Sequence, residues 1–279
     1  MRLDQIISSK YKITRSLAGK YISNSQIKVN GTLISSKKYQ INQHDKIEFI
    51  KKIPKIKILY EDNNFAIVYK PENMSVCRTF NTPKIESVLN EELKKIMPLS
   101  NAQKEHEFGL PHRLDKQTEG LIIISKTDDF YDFISLCFQK FLVKKQYFAF
   151  HQNINFNFLD IEPFVCEHNY INFSKFEKGC LCNLNGEKTI IKYDESKEKI
   201  IPYSQQTVLP KEMITEFEFF DNYSKCYPIT GVRHQIRFSL SQLNKGIHGD
   251  SLYSSGHIED KLLLFSTFIS FPVYKIPII

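Results

Sequence analysis

The sequence predicts an α+β protein: a mixed, largely antiparallel central sheet flanked by helices, preceded by a small α+β module. Runs that alternate apolar and polar residues outnumber helical stripes and do not follow them regularly, which disfavours a doubly wound parallel sheet. The first 49 residues carry a pattern of their own, two short helices feeding a hairpin. After them stands "FIKKIPKIK", a lysine-rich stretch broken by Pro54. The expected division is therefore a module over 1–49, a linker over 50–56 and a larger domain over 57–279.

Each element has its own justification. Leu3, Ile6 and Ile7 form a helical stripe; Thr14 and Ser16 are candidate N-caps for a second helix carrying Leu17, Ala18 and Ile22. "IKVNGTLI" reads as strand, turn at Asn30-Gly31, strand. Arg2, Lys12, Arg15, Lys20 and Lys28 spread positive charge over this segment, which suits gripping phosphates without reading bases. Beyond the linker, "IKILYEDNNFAIVYKPENMSV" alternates as strand, acidic turn, strand and a break at Pro71, and "KIESVLNEELKKIM" is helix-like. "DDFYDFISLCFQKFLV" is an amphipathic helix with Asp128 and Asp129 at the end where the helix dipole favours them. "KKQYFAFH" alternates as a strand, "MITEFEFFDNYSKCYPITGVRHQIRFSL" alternates again, and "LLLFSTFISF" is a closing strand. Residues 151–211, rich in Asn, Phe and charge, hold short strand-like runs such as "TIIKY" but no readable order.

With 42% hydrophobic and 25% charged residues over 279, the chain belongs with soluble globular proteins rather than disordered ones. Its formal net charge of +7 suits a polyanionic partner. The start "MRLDQIISSKYKITRS" lacks the features of a secretory signal, and no run approaches the ~20 apolar residues a bilayer span needs, so a cytoplasmic location without membrane association is expected. Six cysteines are too sparse for a disulfide framework and read as reduced thiols. Cys166, His168, Cys180 and Cys182 could form a zinc set, but each cysteine or histidine pair is separated by a single residue rather than the usual two to four. They read better as core-filling thiols, and no metal is expected.

The chemistry centres on "HRLDKQTEGLIIISK", where Asp115 sits between two cations just ahead of the aliphatic block Leu121–Ile124. A carboxylate on a loop at the lip of a buried strand is a reactive group on a rigid platform. In a partly desolvated site it needs compensating cations, and Arg113, Lys116, Arg233 and Arg237 are the candidates. Taken alone, the pentapeptide around Asp115 reads more readily as a turn cap than as a catalytic motif. "VKKQYFAF", with Tyr147 behind paired lysines, and "TGVRHQIRFSLSQLNKGIHGD", with two arginines and two histidines, add donors suited to a phosphate or a planar base.

Together these segments resemble the RluA-type pseudouridine synthases. "HRLDKQTEGLI" matches that family's central motif except that Glu119 stands where Ser is usual; "ILYEDNNFAIVYKPENMSV" is similar to its first motif, with Asn73 in place of a common glycine. "VKKQYFAF" resembles the Lys-Lys-x-Tyr segment, and "TGVRHQIRFSL…GIHGDSLY" the Gly-Arg-Thr-His-Gln-Ile-Arg stretch with its Gly-Asp-x-x-Tyr tail. The first domain is similar to S4-like RNA-binding modules through "RLDQII", "TRS" and "IKVNG".

The resemblance implies a pseudouridine synthase fold in which Asp115 is the nucleophilic aspartate acting on a flipped uridine, Tyr147 abuts the base and Arg237 pairs with Asp115. Arg113 would help fill the gap the extruded base leaves, with His112, Arg233, Arg2, Arg15 and Lys20 as further RNA contacts. No cofactor is implied, because the reaction is an isomerisation. The implied partner is structured RNA, large-subunit ribosomal RNA ahead of transfer RNA, and the implied state a monomer. Val232 where Arg is common, and Phe265 and Ser266 where His and Ala are common, are departures that leave Asp115, Tyr147 and Arg237 in place. The rival readings are an RNA-binding or ribosome-assembly factor that kept the fold without catalysis and, last, a glycosidase, for which no second acid accompanies the motif.

Overall fold

The computed structural model describes residues 1–51, 53–80, 82–83, 85–102, 107–152, 164–168, 180–184, 187–191, 213–254 and 261–272. At the N-terminal end, helices α1 (Leu3–Tyr11) and α2 (Arg15–Ser23) precede strands β1 (Ile27–Val29), β2 (Thr32–Leu33) and β3 (Ile47–Phe49), paired in the order β2-β1-β3. Thr14, rather than Ser16, caps α2, its hydroxyl accepting the Leu17 N–H at 3.2 Å. Asn30 and Gly31 turn the β1–β2 hairpin with φ of 51° and 82°, the double positive φ of a type I′ turn. Leu3, Ile7, Ala18, Ile22 and Ile27 are fully buried between these elements. Ile85 packs on this core, and the Tyr21 hydroxyl donates to Glu86 at 2.5 Å, tying the module to the rest of the chain.

The remaining strands are β4 (Lys57–Glu61), β5 (Phe65–Lys70), β6 (Glu119–Ser125), β7 (Lys144–Phe150), β8 (Phe164–His168), β9 (Cys180–Leu184), β10 (Glu187–Ile191), β11 (Thr215–Phe219), β12 (Tyr223–Pro228) and β13 (Leu264–Pro272). They form one sheet in the order β10-β9-β11-β12-β7-β13-β6-β5-β4, with β8 added on β13. Pairing is parallel at β13–β6, β13–β8 and β11–β9 and antiparallel elsewhere among the described residues, so the sheet is mixed and largely antiparallel, as expected.

Each face of the sheet carries a core. Ala66, Val68, Ile122 and Ile124 face one, with α3 (Leu89–Leu93) and α5 (Gln235–Gln242); Phe65, Ile67, Leu121 and Ile123 face the other, with α4 (Asp128–Gln139). A strand buried on both faces must be apolar at consecutive positions, which accounts for the unbroken block Leu121–Ile124 behind Asp115. The strand order places this motif at an interior strand, β6, between β13 and β5.

Two elements differ from expectation. The helix over "KIESVLNEELKKIM" is confined to α3: Val88 instead pairs with Ser75, and Arg78 takes the carbonyls of Pro83 and Glu86 at 3.1 and 3.0 Å together with the Glu91 carboxylate. The alternating pattern through "GVRHQIRFSL" gives way to α5. His234 adopts φ 59° and redirects the chain, after which Ile236 and Leu240, four apart, bury one helical face. Cys77, Cys137 and Cys226 are buried free thiols; the side chains of Cys166, His168, Cys180 and Cys182, and most of 151–211, lie outside the described residues. No helix among the described residues is long and apolar enough to cross a membrane.

Candidate active site

Asp115 lies on the turn entering β6, and four contacts hold that turn. Leu114 is buried in the core beside it, and the Thr118 N–H closes onto the Asp115 carbonyl at 3.1 Å. His112 accepts the Ile123 N–H on Nε2 at 2.9 Å, anchoring the segment to the strand it precedes. Lys70, the fully buried lysine of the Lys-Pro pair, donates to the carbonyls of Pro71, Met74 and Lys116 at 2.8, 2.9 and 3.1 Å. Burial pulls its pKa down to about 7, opposed by the charges of Glu119, Asp115 and Glu72.

The cation that reaches Asp115 is Arg237, over 122 residues of chain: its Nη1 lies 3.5 Å from Oδ2. The guanidinium is itself clamped by Asp250, which accepts from Nε at 2.8 Å and Nη2 at 2.6 Å. Both side chains of that clamp are almost inaccessible, at 2% and 1%, whereas Asp115 remains 24% exposed. Burial opposes the charge on Arg237, but the Asp250 hydrogen bonds and the two carboxylates hold its pKa above the ordinary arginine value. Thus Asp250 fixes the arginine and Asp115 receives its remaining donor edge, with the carboxylate open toward solvent.

His234 adds a second contact, its Nε2 3.7 Å from Asp115 Oδ1 and its Nδ1 3.1 Å from the Tyr253 hydroxyl. Burial lowers its pKa, Asp115 opposes that, and Arg237 and Arg233 reinforce it, so the ring is neutral at pH 7. The Nδ1–Tyr253 hydrogen bond is compatible with either tautomer; in the one with Tyr253 as donor, the ring proton sits on Nε2 and faces Asp115. The helix start carrying His234 is pinned by Gln235, which accepts from Thr230 Oγ1 and the Val232 N–H and donates to Ile214 O and Thr215 Oγ1.

These groups open into a cleft of about 1110 Å³ whose walls include Asp115, Tyr147, Arg113, Lys145, Arg233 and Arg237. Tyr147, on β7, is buried, and burial raises its pKa; a hydrogen bond to Ser266 opposes the rise and the charge of Asp115 adds to it. The phenol therefore keeps its proton and can act as a donor or an apolar wall.

The structure thus brings Asp115, Tyr147 and Arg237 into one cleft, with exposed Arg113 and Arg233 on its wall. His112 lines the cleft too, but its Nε2 serves the sheet, and burial with the nearby Lys145 charge takes its pKa to about 3. Arg2 and Arg15 converge on buried Asp4 at 3.1 and 2.9 Å while staying 37% and 53% exposed, and Lys20 is exposed. Sequence reasoning assigned no role to Asp250 and His234, although both lie in the Arg/His/Gly-Asp segment it singled out. The signal in the sequence was the glycine before Asp250: Gly249 has φ 73°, and a Cβ there would lie 2.0 Å from Lys261 O, so the backbone is packed too closely for any side chain.

Residues 64–242 match the family model described as RNA pseudouridylate synthase, and residues 1–47 match the S4 domain model. An uncharacterized RNA pseudouridine synthase of Mycoplasma capricolum subsp. capricolum is 27% identical over 285 aligned positions, spanning 94% of this chain and 84% of the relative. One from Mycoplasma genitalium is 26% identical over 271, spanning 90% and 77%. The ribosomal large subunit pseudouridine synthase C of Buchnera aphidicola subsp. Baizongia pistaciae is 30% identical over 224, spanning 78% and 59%. Human RNA pseudouridylate synthase domain containing 1 shares the fold, with a TM-score of 0.50 at 18% identity over 78% of this chain and 79% of that one.

Proposed function

The chain belongs to the RNA pseudouridylate synthase family, and on that premise we propose that it isomerises uridine in large-subunit ribosomal RNA with Asp115 as the nucleophilic carboxylate. The observation that carries this reading is the partly exposed Asp115 carboxylate, 3.5 Å from an arginine locked by Asp250, in a cleft it shares with Tyr147. In the isomerisation the N1–C1′ bond breaks, the base turns, C5 bonds to C1′, and the C5 proton leaves while N1 regains one. Nothing is oxidised or reduced, so positioning and charge suffice. Asp115 acts at the sugar–base unit, Arg237 and the His234 ring orient it, and Tyr147 bounds the base edge where the C5 proton departs. A base enters such a cleft only by leaving its stack, at a cost of a few kcal/mol that contacts to the displaced strand offset; Arg113 and Arg233 on the cleft wall suit that task. The basic N-terminal module supplies sequence-independent grip on structured RNA, and the ribosomal target follows the relatives named as ribosomal large subunit synthases.

Asp115→Asn tests the assignment. Pseudouridine formation falls to background while RNA affinity stays within a few-fold; an active variant ends the catalytic role. Mapping pseudouridines in cellular RNA with and without the gene identifies the target, and a site lost from transfer RNA alone overturns the ribosomal assignment.

A further inference from the structure

Five cations line the cleft: Arg113, Lys116, Lys145, Arg233 and Arg237. Arg113 pairs with Glu107 at 3.4 Å, Lys116 with Glu86 at 2.7 Å, and Arg237 with Asp250 and Asp115. Arg233 is exposed to solvent, which solvates its charge. Lys145 is different: it is partly buried, and among the described residues it faces no carboxylate and donates to no carbonyl, its ammonium lying over the Phe138 ring at 5.8 Å. Burial alone lowers its pKa to about 8. A partly desolvated ammonium without a counter-ion is unfavourable in the free protein, so its value must come from an anion that arrives later.

The position of Lys145 says which anion. Lys145 and Tyr147 stand two residues apart on β7, both lining the cleft. Period-two alternation puts them on one face about 7 Å apart. The span of one ribose separates a base from its phosphate, so a nucleotide whose base meets Tyr147 sets a phosphate beside Lys145. We propose that Lys145 is the phosphate-binding residue for the nucleotide held in the cleft, a contact that rests on the reading above of Tyr147 as the base wall. Arg113 and Arg233 take phosphates at the rim, whereas Lys145 engages only a nucleotide that has entered.

The test uses the full chain and a ten-residue oligouridylate. Amine acylation at pH 7.5, read by mass spectrometry, labels Lys145 in the free protein. The oligouridylate suppresses labelling at least several-fold, and its uncharged methylphosphonate analogue at equal concentration does not. Equal labelling with and without the charged oligomer, or equal protection by both, overturns the proposal. In parallel, Lys145→Met lowers the slope of log affinity against log salt by about 0.7, the share of one single-strand phosphate, and Lys145→Arg keeps it. Lys145→Met melts no lower than the wild type, because it removes an unpaired charge; a lower melting temperature with an unchanged salt slope marks a structural lysine and also overturns the proposal. Pseudouridine formation by the wild type is measured separately on ribosomal RNA. Protection without isomerisation removes the catalytic reading and leaves the phosphate site standing; isomerisation without protection removes the phosphate site alone.

Discussion

Asp250→Asn separates the two carboxylates that share Arg237. In the wild type the guanidinium makes charge-assisted bonds of 2.8 and 2.6 Å to Asp250, both side chains 2% exposed or less, while Asp115 waits at 3.5 Å. Removing the charge of Asp250 leaves a buried guanidinium whose remaining counter-ion is the more distant Asp115. Breaking a buried pair by removing one partner costs about 3–5 kcal/mol. Asparagine keeps an oxygen for Arg237 and for the Leu252 and Tyr253 N–H groups, so the lower end, about 3 kcal/mol, is expected. At about 2–4 °C per kcal/mol for a domain of this size, the melting temperature falls by about 6–12 °C. Activity falls further than stability, because an arginine drawn onto Asp115 no longer leaves that carboxylate free. Urea unfolding and initial rates of pseudouridine formation below the transition give both quantities. The double variant Arg237→Met/Asp250→Leu completes the argument: exchanging the whole pair for apolar groups restores most of the stability and none of the activity. A single Asp250→Asn variant within about 1 kcal/mol of wild type and fully active would refute the view that Asp250 holds the catalytic geometry.

Three further outcomes follow from the same structure. Gly120→Ala, at φ 119° with the new Cβ 2.1 Å from Ser266 O, forces β6 away from β13 and destabilises the chain by about 4 kcal/mol or more; a normal melting temperature would contradict that packing. His112→Ala leaves the buried Ile123 N–H without its acceptor, costing about 1–3 kcal/mol in chemical denaturation, while RNA affinity changes less than for Arg113→Ala. For Lys145 the folded pKa of about 8 lies below its ordinary 10.5, so the unfolded state holds more protons between those values. The stability of the wild type relative to Lys145→Met therefore rises from pH 8 to 10.5, and a gap that stays constant across that window, measured by denaturation, would show that the ammonium is not desolvated.

Local chemistry explains which parts of this were legible in sequence. The Asn30-Gly31 turn and the Thr14 cap depend on neighbours within three residues, and both appear as read. The apolar block Leu121–Ile124 announced a buried strand, and β6, between β5 and β13, is covered by a core on each face. Where a distant side chain competes for the backbone, the pattern misleads. Arg78 draws carbonyls out of the expected helix before α3, and Gln235, through partners at 214, 215 and 230, sets the turn that makes α5 a helix. The Asp115–Arg237 contact came from resemblance to a family motif and not from spacing, because no periodicity relates positions that far apart.

Two of the departures from the motif, Glu119 and Phe265, are neighbours in space. Glu119 and Phe265 are register partners across β6 and β13, and Lys261 forms an ion pair with Glu119 while its ammonium lies 5.4 Å from the centre of the Phe265 ring. Tyr69 donates its hydroxyl to the same Glu119. Among the charges that favour the ammonium of Lys70, Glu119 contributes most, ahead of Asp115. Lys70 in turn bonds the carbonyl of Lys116, the residue after Asp115. The acid at position 119 therefore supplies counter-charge to the lysine that anchors the Asp115 turn. Glu119 and Phe265 thus bear on the support of the Asp115 turn, while Asp115, Tyr147 and Arg237 line one cleft in this chain.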